Sequence, residues 1–172
     1  MLEIINDLKL FFEDCYRRIN VREYARMMKI SPPTASKVLG EYAKNKLLLM
    51  EKDRNYLFYY ANKDSKIFVD LSKIYWKLKL DGLINYLRKK LTSPTIILFG
   101  SLSKAETKED SDIDICIIGH KKDLSFSKFE SILKREIQLF FFDSLKDIKN
   151  KELANNIVNG YVLEGRLKLH GF

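Results

Sequence analysis

Two short groups of residues in this chain have types and spacing suited to phosphate and metal chemistry. The first is Gly100-Ser101, which directly follows the apolar run from Ile96 to Phe99. That run has the length of a buried strand, and glycine lets a backbone pass close to a ligand at no steric cost. Ser101 can cap a short helix over 102–107, whose free N–H groups would face a phosphate. We therefore expect a phosphate-binding turn at Gly100-Ser101.

The second group is Asp112-Ile113-Asp114, at the start of another apolar run. Strand side chains alternate, so the two carboxylates share one face while Ile113 and Ile115 take the other. Two carboxylates at this spacing can bridge divalent cations roughly 3.5–4 Å apart, as two-metal phosphoryl transfer requires. Oxygen ligands suit magnesium, which also takes ligands from substrate phosphates. The pattern predicts a site for Mg²⁺ held by Asp112 and Asp114.

Together the two groups resemble the signature of the DNA polymerase beta-like nucleotidyltransferases. Gly100-Ser101 is followed by ten residues and then by Asp112-Ile113-Asp114-Ile115, with a serine before the first aspartate. The resemblance is strongest to the minimal nucleotidyltransferases of bacteria and archaea, and it covers the chain from Ser93 to Gly165. It implies metal binding and catalysis by the two aspartates, and it implies nucleotide contacts from Gly100, Ser101, Lys104 and Ser111.

Four positions depart from the commonest pattern of that family. Leu102 replaces an aromatic residue, Ser103 an alanine, Lys104 an arginine and Ala105 a glycine. None of these changes removes a metal ligand. Lys104 keeps the positive charge of arginine but lacks its bidentate fork.

The family also has a third carboxylate, on a later strand, which helps to bind metal and to activate the acceptor hydroxyl. The matching strand here spans residues 135–142, and alignment on its apolar pattern puts Gln138 at that position. An amide cannot take a proton from a hydroxyl. Glu136 lies two residues earlier and shares that face, so it is the candidate third catalytic residue. The sequence leaves open which of the two occupies the position.

Composition excludes several classes of protein. The chain has 172 residues, 46% of them hydrophobic and 31% charged, which is enough apolar material for a core and argues against disorder. No apolar run approaches the roughly 20 residues of a membrane span, and the N-terminus lacks the pattern of a signal peptide. The two cysteines are far apart in sequence and are expected to be reduced thiols. We predict a cytoplasmic protein with no membrane partner.

The excess of positive over negative charge is confined to the N-terminal half of the chain. Residues 1–91 contain 19 basic and 11 acidic residues, a net charge of +8, whereas residues 92–172 contain 12 of each. This asymmetry predicts that the N-terminal half binds an anionic partner, and duplex DNA is the first candidate.

The pattern of residues 1–62 resembles a winged helix-turn-helix domain. Three helical segments, over 2–14, 20–28 and about 31–46, precede a hairpin whose charged tip is 52–55. The third segment opens with small polar residues and a lysine, as suits entry into a major groove. The DNA-binding candidates are the exposed positions of this helix and of the hairpin tip: Ser31, Pro33, Thr34, Ser36, Lys37, Lys52 and Arg54.

Residues 64–91 are predicted to be helical. The helical spacing of their apolar residues is interrupted near Asp81-Gly82, which indicates two helices. Their apolar positions could form the seam of a homodimer or pack against their own domain. Thr92-Ser93-Pro94 then breaks the helix. Further helices are predicted over 127–134 and 143–159, with strands over 136–142 and 161–164. The predicted domains are a winged helix-turn-helix at 1–62, a helical connector at 63–92 and a nucleotidyltransferase domain at 93–172.

The predicted fold class is therefore α/β (α+β), with a winged helix-turn-helix domain and a small nucleotidyltransferase domain containing a mixed sheet. The resemblance implies transfer of a nucleoside monophosphate from a magnesium–nucleoside triphosphate, ATP in the first instance, to a hydroxyl acceptor. Minimal relatives act as antitoxins that adenylylate a toxin of the HEPN class, so the resemblance implies a HEPN-type acceptor. One alternative is a transcription regulator that uses the domain as a nucleotide sensor. Another is a scaffold that uses it for dimerisation or partner contact.

Overall fold

Residues 3–167 are described by the computed structural model, in which they divide into two units. The units follow the order of the chain, except that a short segment between two strands of the second unit belongs to the first. The predicted domain bounds are not tested by this division and stay a prediction. Within the described chain, the first unit comprises residues 3–75 and 105–109, and the second comprises 76–104 and 110–167.

The first unit contains three helices followed by a hairpin and most of a fourth helix. The boundary between the units falls inside that fourth helix. The elements are α1 (Glu3–Glu13), β1 (Ile19–Asn20), α2 (Val21–Met28), α3 (Pro32–Lys44), β2 (Leu48–Asp53), β3 (Tyr56–Ala61) and α4 (Lys66–Lys79).

Capping residues set the starts of α2 and α3. The Asn20 side chain accepts a hydrogen bond from the Glu23 backbone N–H at 3.0 Å, and the Ser31 hydroxyl accepts one from Thr34 N–H at 3.3 Å. Each of these bonds satisfies an N–H group that the helix itself cannot pair. Pro32 and Pro33 follow in the first turn of α3, where a missing N–H group costs nothing.

The hairpin and β1 form a three-stranded antiparallel sheet in the order β1-β3-β2. The predicted tip at 52–55 is too long, because Lys52 and Asp53 lie in β2 and pair with Leu57 and Tyr56. Only two residues form the turn, and its first, Arg54, has a positive φ of 52°. A two-residue turn with positive φ matches the twist of the flanking strands, and it therefore extends the pairing by two residues.

Helices α4 and α5 (Asp81–Lys90) confirm the predicted break in the 64–91 segment, which falls at Leu80 between the two helices. Three apolar side chains of α4 are nevertheless exposed. Ile67, Ile74 and Leu78 have 64%, 38% and 46% of their surface accessible. These three side chains are therefore not part of the hydrophobic core.

The second unit is a mixed sheet with helices. The strand order is β6-β5-β4-β7; β5 and β6 are parallel, whereas the other two pairs are antiparallel. The prediction of a mixed sheet is confirmed. The elements are α5 (Asp81–Lys90), β4 (Thr95–Phe99), α6 (Ser101–Lys104), β5 (Ile113–Ile118), α7 (Ser127–Leu133), β6 (Ile137–Phe142), a 3₁₀ helix (Leu145–Asp147), α8 (Lys151–Val158) and β7 (Tyr161–Glu164).

The helix predicted over 143–159 is interrupted. Ser144 and Asp147 form a capping box around the 3₁₀ helix, and α8 starts only after Asn150, whose side chain accepts from the N–H groups of Glu152 and Leu153. Two N-cap signals within a few residues thus divide what the apolar spacing indicates as one helix. In the part of the chain that the structure describes, no helix has both the length and the apolar character needed to cross a membrane.

Candidate active site

Gly100 joins β4, one of the two inner strands of the sheet, to α6. All five residues of β4 are buried, and the chain turns at Gly100 with a φ of +70°, in the region that only glycine adopts freely. A Cβ atom built on Gly100 would overlap Oδ2 of Asp114 and would lie 3.1 Å from its Cγ. The absence of a side chain therefore lets the turn and the carboxylate occupy neighbouring space.

Helix α6 is shorter than predicted and begins at Ser101 itself, so Ser101 is its first residue rather than its cap. The Ser103 hydroxyl donates to the Gly100 carbonyl oxygen at 2.9 Å. The predicted range 102–107 is wrong at its end, because Ala105 adopts a left-handed φ of 55° and stops the helix after Lys104. Residues 105–109 belong to the first unit, in which Cys15 N–H donates to the Thr107 carbonyl at 2.8 Å.

Asp112 and Asp114 stand at the start of β5 with the predicted alternation. Ile113 and Ile115 are fully buried, whereas both aspartates are partly exposed. Burial, and then the neighbouring charge of Asp112, raise the pKa of the Asp114 carboxyl above its ordinary value. Bringing two carboxylates together therefore has an electrostatic cost that a bound cation would remove.

Gln138 lies beside this pair. In the parallel register of β5 and β6 it is the partner of Asp114, and its Nε2 donates to Oδ2 of Asp112 at 2.6 Å. Glu136 precedes β6 and is exposed; its backbone carbonyl accepts from Ile113 N–H at 2.8 Å. Among the described residues, no hydrogen bond joins the Glu136 side chain to either aspartate. The catalytic role of Glu136 stays a prediction.

Two contacts involve residues that the sequence analysis did not identify. Asn156 on α8 accepts a hydrogen bond from Lys104 Nζ at 2.8 Å through its Oδ1. Arg135 donates from Nη1 to the Ser111 carbonyl at 2.5 Å, and its guanidinium lies 5.2 Å from the centre of the Trp76 ring. An isolated arginine or asparagine carries no sequence signal for such a contact, which depends on the packing of distant elements.

The candidate DNA-binding residues are exposed, as their assignment to an outer surface requires. Five of them lie at the start of α3, where the hydroxyl groups of Ser31 and Thr34 are 2.8 Å apart. Arg18 partly neutralises the negative charge of the hairpin, because its guanidinium lies 3.3 Å from Glu51 and 3.9 Å from Asp53. The exposed residues are Ser31, Pro33, Thr34, Ser36 and Lys37 at α3, Lys52 in β2 and Arg54 in the turn.

Other metal or nucleophile sites find no support in the described residues. These contain no group of three or more His, Cys, Asp or Glu side chains placed to hold a metal. Cys15 and Cys116 are buried and unpaired. Burial raises the pKa of the Cys15 thiol to about 11 and that of Cys116 to about 12, so neither is a ready nucleophile or metal ligand. Asp112 and Asp114 offer carboxylate oxygens, the ligand type that suits Mg²⁺, and magnesium binding by this pair stays a prediction.

Comparison with known proteins identifies one family. The model of the family described as "Polymerase beta, Nucleotidyltransferase" matches residues 81–166, which is half of the chain. Neither the curated proteins nor the solved structures include a significant match. The matched range contains Gly100, both aspartates and Gln138, and it excludes the three-helix and hairpin segment.

Gly100→Ala should abolish magnesium-dependent nucleotide binding, because the added methyl group would displace the Asp114 carboxylate. Gly40→Ala is the matched control, since a Cβ at Gly40 meets nothing within 4 Å. In an interior helical position it should stabilise the protein by up to about 1 kcal/mol. Calorimetric titration with magnesium–ATP checks both variants. Normal binding by folded Gly100→Ala protein would contradict the assigned role of the turn.

Asp114→Asn should stabilise the metal-free protein at neutral pH. A carboxyl whose pKa is raised by folding destabilises the folded state above that pKa, and this penalty disappears as falling pH protonates the group. The gain in melting temperature over wild type should therefore be present at neutral pH and vanish in acid. Thermal unfolding in a chelator across a pH series measures it, with exposed Asp123→Asn as the control. A gain that is absent, or independent of pH, would contradict the burial argument.

Proposed function

The chain belongs to the polymerase beta nucleotidyltransferase family, and from this premise we propose that it transfers a nucleoside monophosphate from a magnesium–nucleoside triphosphate to a hydroxyl acceptor, with release of pyrophosphate. The observation that carries the proposal is the close approach of the Gly100 turn to Asp114. A turn that can receive phosphates then adjoins carboxylates that can hold the cation those phosphates need.

The residues around the turn would bind different parts of the nucleotide. Gly100 and Ser101 would bind the β- and γ-phosphates through their backbone N–H groups. These hydrogen bonds would matter more than the dipole of α6, because that helix has only four residues. Lys104, held by Asn156, would supply a positive charge, and Ser111 would line the approach to Asp112. Asp112 and Asp114 would hold magnesium, which when bound neutralises phosphate charge. Alignment and charge neutralisation would then carry most of the catalysis.

Gln138 makes this transfer slow, because the amide beside the aspartates cannot accept the proton of an acceptor hydroxyl. A positioned general base is typically worth about 10²–10⁴-fold, so Gln138→Asp should accelerate transfer within that range. Gln138→Asn is the matched control and should not. Transfer is followed with α-labelled ATP and magnesium, with label incorporation as the readout. If Glu136 is the base, Glu136→Gln will abolish labelling and Gln138→Asp will change little.

For the acceptor, we propose a protein, with a toxin of the HEPN class as the first candidate. The support is the resemblance of the Gly100–Asp114 segment to minimal nucleotidyltransferases of the antitoxin type. Label from α-labelled ATP that enters a protein band of a lysate would support a protein acceptor, and label that enters only nucleic acid would exclude it. A cytoplasmic location also stays a prediction, and the two buried free thiols agree with it.

A second candidate function is a non-enzymatic regulator that senses a nucleotide, or that uses this domain for partner contact. The specific observation in its favour is the Gln138–Asp112 hydrogen bond, which puts an amide where activation of the acceptor needs a base. The basic N-terminal half favours it too. Binding of magnesium–ATP without any label transfer by wild type or by Gln138→Asp would favour this candidate.

We propose further that the first unit is a winged helix-turn-helix domain that binds duplex DNA. Three helices and a hairpin follow one another in this unit, and polar residues at the start of α3 are exposed. The net charge of +8 over residues 1–91 favours an anionic partner. In this proposal α3 reads the major groove, while Lys52 and Arg54 contact phosphates.

Lys52→Ala with Arg54→Ala should weaken DNA binding equally for all sequences, because a phosphate contact carries no base information. The slope of log K against log salt should become shallower by about 0.9 for each phosphate that the variant no longer neutralises. Fluorescence anisotropy of the full chain over a salt series measures this slope. Lys121→Ala with Lys149→Ala, two exposed lysines of the second unit, is the control. An unchanged slope in the hairpin variant would remove the hairpin from the interface.

We also propose that α4 forms the seam of a homodimer. Its exposed residues Ile67, Ile74 and Leu78, with the half-buried Leu71, repeat at intervals of four, three and four residues, which is the spacing of a coiled-coil seam. Asp70 and Lys77 flank this stripe. In an antiparallel pair, Asp70 of each copy would approach Lys77 of the other. The helix as a whole carries four lysines and one aspartate, and Asp70 also lies 3.4 Å from Lys73 of its own chain, so the apolar stripe is the main support for the seam.

Ile67→Glu with Ile74→Glu should dissociate this dimer without unfolding the protein, because both side chains are exposed. Ile132→Glu is the matched control, since Ile132 is 66% exposed on α7 and lies outside the stripe. Sedimentation equilibrium should show a dimer that weakens only in the α4 variant. A monomeric wild type at high concentration would contradict the seam.

A further inference from the structure

We infer that the site of this chain holds a single divalent cation, in contrast to the two cations of two-metal phosphoryl transfer. The inference deepens the proposed function and rests on it, since it concerns the same Asp112 and Asp114. Its basis is the position that Gln138 occupies beside them. Three observations lead to it: the orientation of the Gln138 amide, the strand register that fixes it, and the groups that surround the pair.

The orientation of the amide follows from hydrogen-bond chemistry. An ionised carboxylate only accepts hydrogen bonds, so the Gln138 atom 2.6 Å from Asp112 Oδ2 must be the amide nitrogen. The carbonyl oxygen of Gln138, which could have served as a cation ligand, is directed away from this contact. Gln138 therefore brings an N–H group, which cannot ligate a cation, to an oxygen that a second cation would need.

The strand register fixes Gln138 at this place. Its backbone pairs with Asp114, between the pairs Ile113–Ile137 and Ile115–Leu139. A slip of one residue would turn Gln138 to the other face of the sheet and bring apolar side chains to the carboxylates. The amide cannot therefore leave by a small shift of β6, and only a rotation of its own side chain would free Asp112.

The surroundings of the pair offer no third anionic ligand among the described residues. No cluster of three candidate ligands occurs there, and the Glu136 side chain is exposed with no hydrogen bond to the pair. The Ser111 carbonyl, next to Asp112, already accepts from the Arg135 guanidinium. That positive charge beside Asp112 disfavours a second divalent cation.

The charge of the protein's own ligands agrees with this count. Two carboxylates carry two negative charges, which balance one divalent cation, while the triphosphate brings its further negative charge with the nucleotide. A third carboxylate would balance part of the charge of a second cation, and here that position contains a neutral amide. The cation that remains is the one shared with the nucleotide phosphates, because Asp114 adjoins the Gly100 turn. Activation of the acceptor hydroxyl is then left without a metal held by this chain, which is a further reason to expect slow transfer.

Manganese(II) with a non-hydrolysable ATP analogue is the probe. Electron paramagnetic resonance counts the bound Mn²⁺ per protein–nucleotide complex, and it separates an isolated ion from a coupled pair about 3.5–4 Å apart. Wild type should bind one Mn²⁺ with an uncoupled spectrum. Gln138→Asp and the isosteric Gln138→Glu should bind two, with a coupled spectrum. Two coupled ions in wild type would overturn the inference, and so would a count of one in both folded carboxylate variants.

Gln138→Ala separates a blocking amide from a ligating one. If the amide only blocks, this variant frees an Asp112 oxygen and should bind Mn²⁺ at least as tightly as wild type, with a count that stays at one because the third carboxylate is still missing. A tenfold loss of affinity would show that the Gln138 carbonyl is a ligand and would overturn the inference. Asp112→Asn with Asp114→Asn tests the underlying proposal separately. If this variant binds Mn²⁺–nucleotide as wild type does, the carboxylates hold no cation, and both the proposed function and the inference fail.

Discussion

The close approach of a main-chain turn to a carboxylate is the constraint on which the second unit depends. Gly100 can lie against Asp114 only because it has no Cβ and because glycine tolerates a φ of +70°. Antiparallel pairing of β4 with β5 sets Phe99 opposite Asp114 and so fixes the distance between the two chain segments. The buried strands hold the turn and the carboxylate of Asp114 side by side.

The same constraint explains why this site is costly to the free protein. Burial and the charge of Asp112 both raise the pKa of Asp114, so the folded chain holds two carboxylates that would be better solvated apart. The Gln138 amide relieves part of this cost by donating to Asp112. In the proposed function the same amide would occupy an oxygen that a cation could use, so the chain would gain stability at the expense of acceptor activation.

The local features of the site could be predicted from the sequence, because they depend on residues close together in the chain. The alternation around Asp114 and the caps at Asn20 and Ser31 follow from side-chain spacing and capping chemistry, whereas the mixed sheet is expected from the family resemblance. Alignment with the family points to Gln138, but its hydrogen bond to Asp112 could not be predicted, because it depends on the register between two strands that are separated in the chain. The Arg135–Ser111 and Lys104–Asn156 contacts join segments 24 and 52 residues apart, and no local pattern predicts them.

The central claim is that Asp112 and Asp114 hold the cation of a magnesium–nucleoside triphosphate against the Gly100 turn. Titration calorimetry of magnesium–ATP against wild type and against Asp112→Asn with Asp114→Asn tests it most directly, with the exposed Asp123→Asn variant as the control. The account predicts that wild type and Asp123→Asn bind alike in magnesium, and that chelation or the double substitution removes the metal-dependent part of the affinity. Equal magnesium-dependent binding by the double variant would contradict it.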